Sequence, residues 1–289
     1  MSGEGRRYDI DWPRIIAMAA IFLLHTLHFF DEGTDWHLRN VDQSGIVSLV
    51  RSLIDMWAIP LFFVLSGAGA WFALQRARAG RFLVERVRRL LIPLYTVGLF
   101  AIVLPQIYFD AFTNGYRGSF GAIIGRSLGS VRFDPGWPGL SSFFFGHLWF
   151  LQFLFLVSIL VLPLLIFLRG TPGKRFIGRV ASWCNRRGGL LLLAAPYAAV
   201  RIALLGFFHF QHSWSDLVCF AILLLIGYVL MADERFTAGI KRDGRIALVA
   251  GLVALGCLAV FVYALGYDIY GTPFSLRYVG FQLLSGINT

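Results

Sequence analysis

Apolar residues in this chain come in long blocks separated by shorter polar stretches. Blocks of roughly 17 to 25 apolar residues are long enough to cross the hydrocarbon layer of a bilayer as helices. Seven blocks have that character, at 13–30, 53–74, 90–108, 148–168, 190–208, 217–231 and 246–265. An eighth begins near Arg277, and the sequence stops at Thr289. The pattern predicts an all-α fold, a polytopic transmembrane helix bundle with seven complete spans plus the start of an eighth. No internal repeat or linker divides it, so residues 1–289 read as a single domain, expected to be incomplete at its C-terminus.

Composition places this reading beyond the range of soluble domains, with 57% hydrophobic, 16% aromatic and only 15% charged residues. The partner implied is the lipid bilayer. Charge then supplies an orientation, because Lys and Arg concentrate in short cytoplasmic loops. With the N-terminus cytoplasmic, the inner segments hold 19 of the 26 basic residues, the outer segments six, and a span holds Arg201. The net charge of +10 is thereby a consequence of topology, and no nucleic-acid partner is invoked. The first span follows Arg6 and Arg7 as a secretory signal would, but His28 to Glu32 close it in place of a small-residue cleavage pattern, so it reads as an uncleaved anchor. Cys184, Cys219 and Cys257 form neither a disulfide framework nor a metal-binding spacing.

The first span carries the most informative chemistry. His25 follows Arg14 by eleven residues, which on an α-helix is three turns plus about 20°, so both side chains share a face about 16 Å apart along the axis. Ionisable groups are costly in a bilayer interior, and their presence points to function. Ahead of the third span, Arg86 and Arg89 are three apart and share a helix face, while Arg88 points elsewhere. Two forked guanidiniums at a membrane edge make a seat for phosphates. An ordinary positive-inside flank is the bland reading of the same residues. Ser66, Gly67 and Gly69 read as a close helix contact, since small residues let backbones approach. The stretch 109–146, rich in aromatics, reads as an interfacial belt or as a cover over an outer mouth, and His147 as an acceptor-site or interfacial group.

Two other constellations use the same residues. His25, His28 and Glu32 fall on one helix face, and His209 and His212 lie three apart, so a histidine-cluster metal enzyme is one alternative. A polar stripe from Arg14 to His25, with Arg51, Asp55 and Arg201, would alternatively line a proton or solute path. Arg51 and Asp55 are four apart and able to neutralise each other. The paired broken spans expected of a transporter are not visible in the sequence.

The chain resembles the integral-membrane acyltransferase-3 family, in its glucan biosynthesis protein C branch. The resemblance rests on the run from Arg7 to Arg14 with ten residues before His25, and on the stretch from Pro60 to Gly67. Arg86 and Arg89 before Pro93, and the run from His147 to Leu151, complete it. These motifs cover about the first 155 residues. The resemblance implies a membrane O-acyltransferase of a bacterial inner membrane. Such an enzyme moves an acetyl or succinyl group from cytoplasmic acyl-CoA, a co-substrate and not a bound cofactor, to a hydroxyl of an extracytoplasmic carbohydrate. It implies that His25 is the catalytic histidine, that Arg14, Arg86 and Arg89 handle the acyl-CoA, and that no metal takes part. Family members commonly have about ten spans, which is why more chain is expected after Thr289.

Overall fold

The computed structural model describes residues 7–33, 39–129, 148–208, 212–264, 266 and 273–288. Residues 130–146 of the aromatic stretch, His147 and His209 lie outside the described residues, so the expectations for them have no structural counterpart. The described residues form helices and loops and contain no strand. In a bilayer this follows from hydrogen bonding, because a helix satisfies its backbone internally where water is absent.

The helices are α1 (Tyr8–Leu27), α2 (Gly45–Arg76), α3 (Ala79–Arg86), α4 (Leu104–Thr113), α5 (Phe120–Gly129), α6 (Trp149–Arg169), α7 (Thr171–Cys184), α8 (Ala194–Leu204), α9 (Trp214–Ala232), α10 (Glu234–Ala259) and α11 (Leu276–Asn288). Among the described residues, six helical stretches are long and apolar enough to cross a membrane: Tyr8–Phe30, Gly45–Arg76, Ala79–Thr113, Trp149–Arg169, Trp214–Ala232 and Glu234–Val262. The fifth expected span, 190–208, is a shorter apolar stretch, Gly189–Leu204. Gly188 adopts a left-handed conformation (φ 73°), a tight 3-10 turn occupies Gly189–Leu193, and α8 follows it with 11 residues. The expected start of an eighth span is the 13-residue α11, which packs against α8 and α10.

Two helices extend beyond their apolar blocks, and local pairing accounts for the polar ends. α2 begins at Gly45, and its early Arg51 is matched by the fully buried Asp31 at the end of the α1 region. α10 begins at Glu234, with the Asp233 side chain accepting from the Arg235 backbone N–H as an N-cap. The Arg235 side chain grips the same carboxylate, which lowers the Asp233 pKa below the ordinary carboxylate value.

The third span departs from regular α geometry on either side of Pro93. The ring removes a backbone donor and crowds the carbonyl four residues back, and the chain responds by widening. The Ile92 N–H bonds to the Val87 carbonyl, five residues earlier, and π-type turns run through Val87–Leu91 and Leu94–Val103.

The core lies where α2, α6 and α9 meet. Phe63 of α2 stacks on Phe220 of α9 with centroids 4.2 Å apart, and Phe153 of α6 meets Phe220 edge-on at 6.1 Å. Gly67 and Gly227 bring α2 and α9 to backbone contact, since a Cβ on either would overlap a carbonyl oxygen of the other helix, that of Leu224 or Val64. α1 and α10 leave broad apolar faces uncovered, including Ile15, Ile16 and Phe22 on one and Leu248, Leu252 and Val253 on the other. Such faces suit lipid, and the bundle is that of a multi-pass membrane protein.

The polar segment before α8 is not merely a loop. α7 is an amphipathic helix whose Ile177, Ala181 and Cys184 are buried. Arg235 donates to Gly178 O (3.1 Å) and Ser182 Oγ (2.9 Å), and Arg242 donates to the carbonyls of Asn185 and Arg186. Arginines near a helix C-terminus satisfy its last carbonyls, so these two cations tie α7 to α10.

Candidate active site

α1 and α2 run antiparallel and carry the residues of interest at two levels. At the N-terminal end of α1, a cavity of about 540 Å³ opens between α1, α2 and α3. Arg14, Arg86 and Arg89, all singled out from the sequence, line it together with Arg76 and Arg81. Phe62, Leu65, Ser66, Gly69 and Ala73 of α2 make its wall, and Glu85 is its carboxylate. Helix geometry explains how the stretch from Pro60 to Gly67 serves two purposes. Phe62, Leu65 and Ser66 face the cavity, while Phe63 and Gly67 face α9.

The arginines are held differently. Arg86 lies over the Phe82 ring at 4.9 Å and donates to Ser66 O at 3.4 Å, so its guanidinium is half-buried and fixed. Arg89, 78% exposed, pairs with Glu85 at 2.8 Å, and Arg14 approaches Asp11 at 3.6 Å. The shared helix face expected for Arg86 and Arg89 holds only in part. α3 gives way to π-type turns between them, so they reach the same cavity from unlike settings. Five arginines and one glutamate line the cavity, a set of donors whose chemistry suits the oxygens of phosphates and carboxylates.

His25 sits about 16 Å further along α1 and is not among the residues lining that cavity. Its Nδ1 lies 2.7 Å from the Ile21 carbonyl oxygen. A carbonyl only accepts, so Nδ1 carries the hydrogen and Nε2 is the acceptor nitrogen of the neutral ring. Asp55 of α2 interacts electrostatically with His25 and with Arg51. Arg51 forms its ion pair with Asp31, which also accepts from Ser48 Oγ (2.6 Å) and the Gly33 N–H (2.9 Å). Arg51 is thus shared: its ion pair is with Asp31, a fully buried carboxylate within reach, and it acts on Asp55 electrostatically.

The other two described histidines build no metal-binding group with His25. His28 stands 6.2 Å from it, ring to ring, and turns its Nδ1 toward Asp31 at 4.0 Å. His212 packs on the Trp149 ring at 4.1 Å, and burial lowers its pKa to about 4. Among the described residues no group of three or more His, Cys, Asp or Glu side chains is placed to hold a metal ion. The histidine-cluster alternative therefore gains no support from the residues described.

Arg201 belongs to a further polar group between α8, α9 and α11. It donates to Gln282 Oε1 at 2.8 Å and to Tyr197 Oη at 3.3 Å, and it faces Asp216. Sequence reasoning gives Arg76 and Arg81 only a topological role and leaves Asp55 as the partner of Arg51. The contact of α2 with α1 brings Arg76 and Asp55 to their places and α3 supplies Arg81, and no spacing within one segment reveals it.

A bundle of apolar helices carries a basic cavity at one end and a half-buried histidine deeper along the same interface, the frame of a multi-pass membrane protein. A family profile described as an acyltransferase domain matches residues 7–288, and the chain belongs to the acyltransferase-3 family of acyltransferases. The match extends well past the motif-bearing first 155 residues and takes in α8 to α11. No curated protein and no solved structure gives a match.

Proposed function

We propose that this enzyme moves an acetyl or succinyl group from acyl-CoA to a carbohydrate hydroxyl on the opposite side of a bacterial inner membrane, with envelope glucan as the acceptor class. The observation that carries the reading is the meeting of Arg14, Arg86 and Arg89 around one cavity whose α1–α2 wall continues toward His25. In this reading the arginine-rich end is cytoplasmic, in keeping with the bias of basic residues toward that side.

The CoA portion of the donor carries several phosphate charges, and the five guanidiniums match them. Phe62 and Leu65 give the cavity an apolar wall for the donor's uncharged arm. The thioester is then delivered along the α1–α2 interface to His25. His25 Nε2 removes the proton from the acceptor hydroxyl as its oxygen attacks the thioester carbonyl. The carbon–sulfur bond breaks next, and the imidazolium returns the proton to the departing sulfur, so ester and CoA thiol are the products.

The test is the acyl content of envelope glycans, measured by mass analysis, in cells carrying the parent or the His25→Ala chain. Loss of the acyl mass in the variant at equal protein level is expected. Acylation at the parental rate would remove His25 from the mechanism. An Arg86→Ala, Arg89→Ala double variant is expected to weaken CoA binding by tenfold or more, on the order of two charge-assisted contacts, and unchanged affinity would reduce the pair to a positive-inside flank.

A further inference from the structure

At the level of His25 the bundle holds a row of ionisable side chains contributed by four helices. Leu24 of α1 packs with Ile54 and Ala58 of α2, which sets the next residue on each helix, His25 and Asp55, at the same height of one interface. The two interact electrostatically across it. Asp216 of α9 interacts electrostatically with Asp55 and with Arg201 of α8.

Charge matching along this row singles out one member. Arg51 is paired with Asp31, and Arg201 is the cation that Asp216 faces, fixed in place by Gln282 and Tyr197. Asp55 receives only the outlying attraction of Arg51, whose ion pair is with Asp31, in a setting where an incompletely compensated charge is expensive. A second cation beside it forms when His25 is protonated. An interaction that strengthens as the imidazolium forms favours the transition state over the ground state, which is how a fixed charge accelerates proton transfer.

We propose that Asp55 is the positioning residue of the reaction, acting through His25. The proposal rests on the reading of His25 as the base. As the acceptor O–H bond breaks and the new O–C bond forms, the proton arrives on His25 Nε2 and the imidazolium stands beside the Asp55 carboxylate. When the C–S bond breaks, the proton leaves for the sulfur and Asp55 returns to its resting state. Asp55 touches neither donor nor acceptor.

The experiment uses membrane vesicles carrying the full chain, with acetyl-CoA and succinyl-CoA as donors and bacterial envelope glucan as acceptor. Thiol release and glycan acyl mass are followed at limiting and saturating donor. Asp55→Asn is expected to lower the maximal rate by about tenfold or more while the donor KM stays within about twofold. Asp55→Glu should recover activity above the Asn variant, and adding Asp55→Asn to His25→Ala should slow the reaction no further. Thermal unfolding of the solubilised variants separates misfolding from loss of rate. A parental rate in Asp55→Asn, a Glu variant no better than Asn, or a further loss in the double variant would each overturn the proposal. A parental rate in His25→Ala would instead overturn the reading it rests on, as would the absence of transfer from either donor by the parent.

Discussion

Gly67 of α2 and Gly227 of α9 lie at the point where two spans touch backbone to backbone. A Cβ on Gly67 would collide with the Leu224 carbonyl and stand 2.8 Å from Tyr228 N, and one on Gly227 would collide with the Val64 carbonyl. Neither neighbour is a flexible side chain, so the helices themselves would have to part. Gly67→Ala is therefore expected to destabilise the protein by about 3 kcal/mol, the upper range for overpacking. A drop in the unfolding midpoint of the solubilised variant checks this, and an unchanged midpoint would mean that the two helices can slide apart at little cost.

Gly69 is two residues away and opposite in consequence. Nothing lies within 4 Å of the position a Cβ would take there, and the residue lines the basic cavity. Gly69→Leu should keep or raise stability, because leucine gains up to about 1 kcal/mol in helix propensity over glycine. The same side chain would occupy cavity volume, so the donor KM should rise several-fold. A variant that is both stable and kinetically parental would place donor binding elsewhere.

Glu85 gives the cavity a built-in competitor. Its carboxylate holds Arg89 at 2.8 Å on an exposed face, where such pairs contribute roughly 0–1 kcal/mol to folding. Glu85→Gln should leave the unfolding midpoint almost unchanged. It should also tighten donor binding a few-fold, since a negative charge leaves the site and Arg89 is released toward it. The gain should shrink at high salt, as surface electrostatics are screened. Weaker donor binding in the variant would show instead that Glu85 positions Arg89 for the ligand.

These contrasts mark how much of the site is legible in the sequence. Arg14 and His25 are placed on one face by helical periodicity alone, and both turn toward α2 as that spacing requires. Ser66, Gly67 and Gly69 read as one packing patch, yet the patch divides, with Gly67 against α9 and Gly69 open to the cavity. Which side of α2 each faces depends on the neighbours of α2, and hydropathy says nothing about neighbours. The amphipathic α7 is hidden because its basic residues mask its apolar stripe, and the π-type turns around Pro93 are hidden because a proline signals a break without specifying its form. Asp55 has the spacing of a simple partner for Arg51, but the fold brings Asp31 into the ion pair with that arginine.

α8 and α11 are joined by a polar clamp whose loss has a definite sign. Arg201 donates through Nε to Gln282 at 2.8 Å, and the buried Tyr278 hydroxyl donates to the carbonyls of Arg201 and Ile202. Gln282→Leu would remove the acceptor from a buried guanidinium, for which the expected cost is about 1–3 kcal/mol. The variant should lower the unfolding midpoint, and Arg201→Leu combined with Gln282→Leu should recover part of the loss. A double variant less stable than the sum of the single ones would assign Arg201 a larger structural role through Asp216.

His212 supplies the pH-dependent prediction. Its ring is packed on Trp149, and burial lowers its pKa from 6.5 to about 4 in the folded protein. The unfolded chain therefore binds a proton at this site between those two values while the folded chain does not. Stability at this position is complete above pH 6.5 and falls as the pH drops toward 4, with a limit of about 3 kcal/mol set by the size of the shift. The residue also has a left-handed backbone (φ 62°) and its N–H bonds to Asp216 Oδ2 at 2.7 Å, so asparagine is the replacement that preserves the conformation. Unfolding midpoints of the solubilised parent should decline between pH 6.5 and 4 more steeply than those of His212→Asn, after their difference at pH 7 is subtracted. Parallel curves would mean that the imidazole becomes protonated in place, with its ring leaving Trp149 for water before the helices separate.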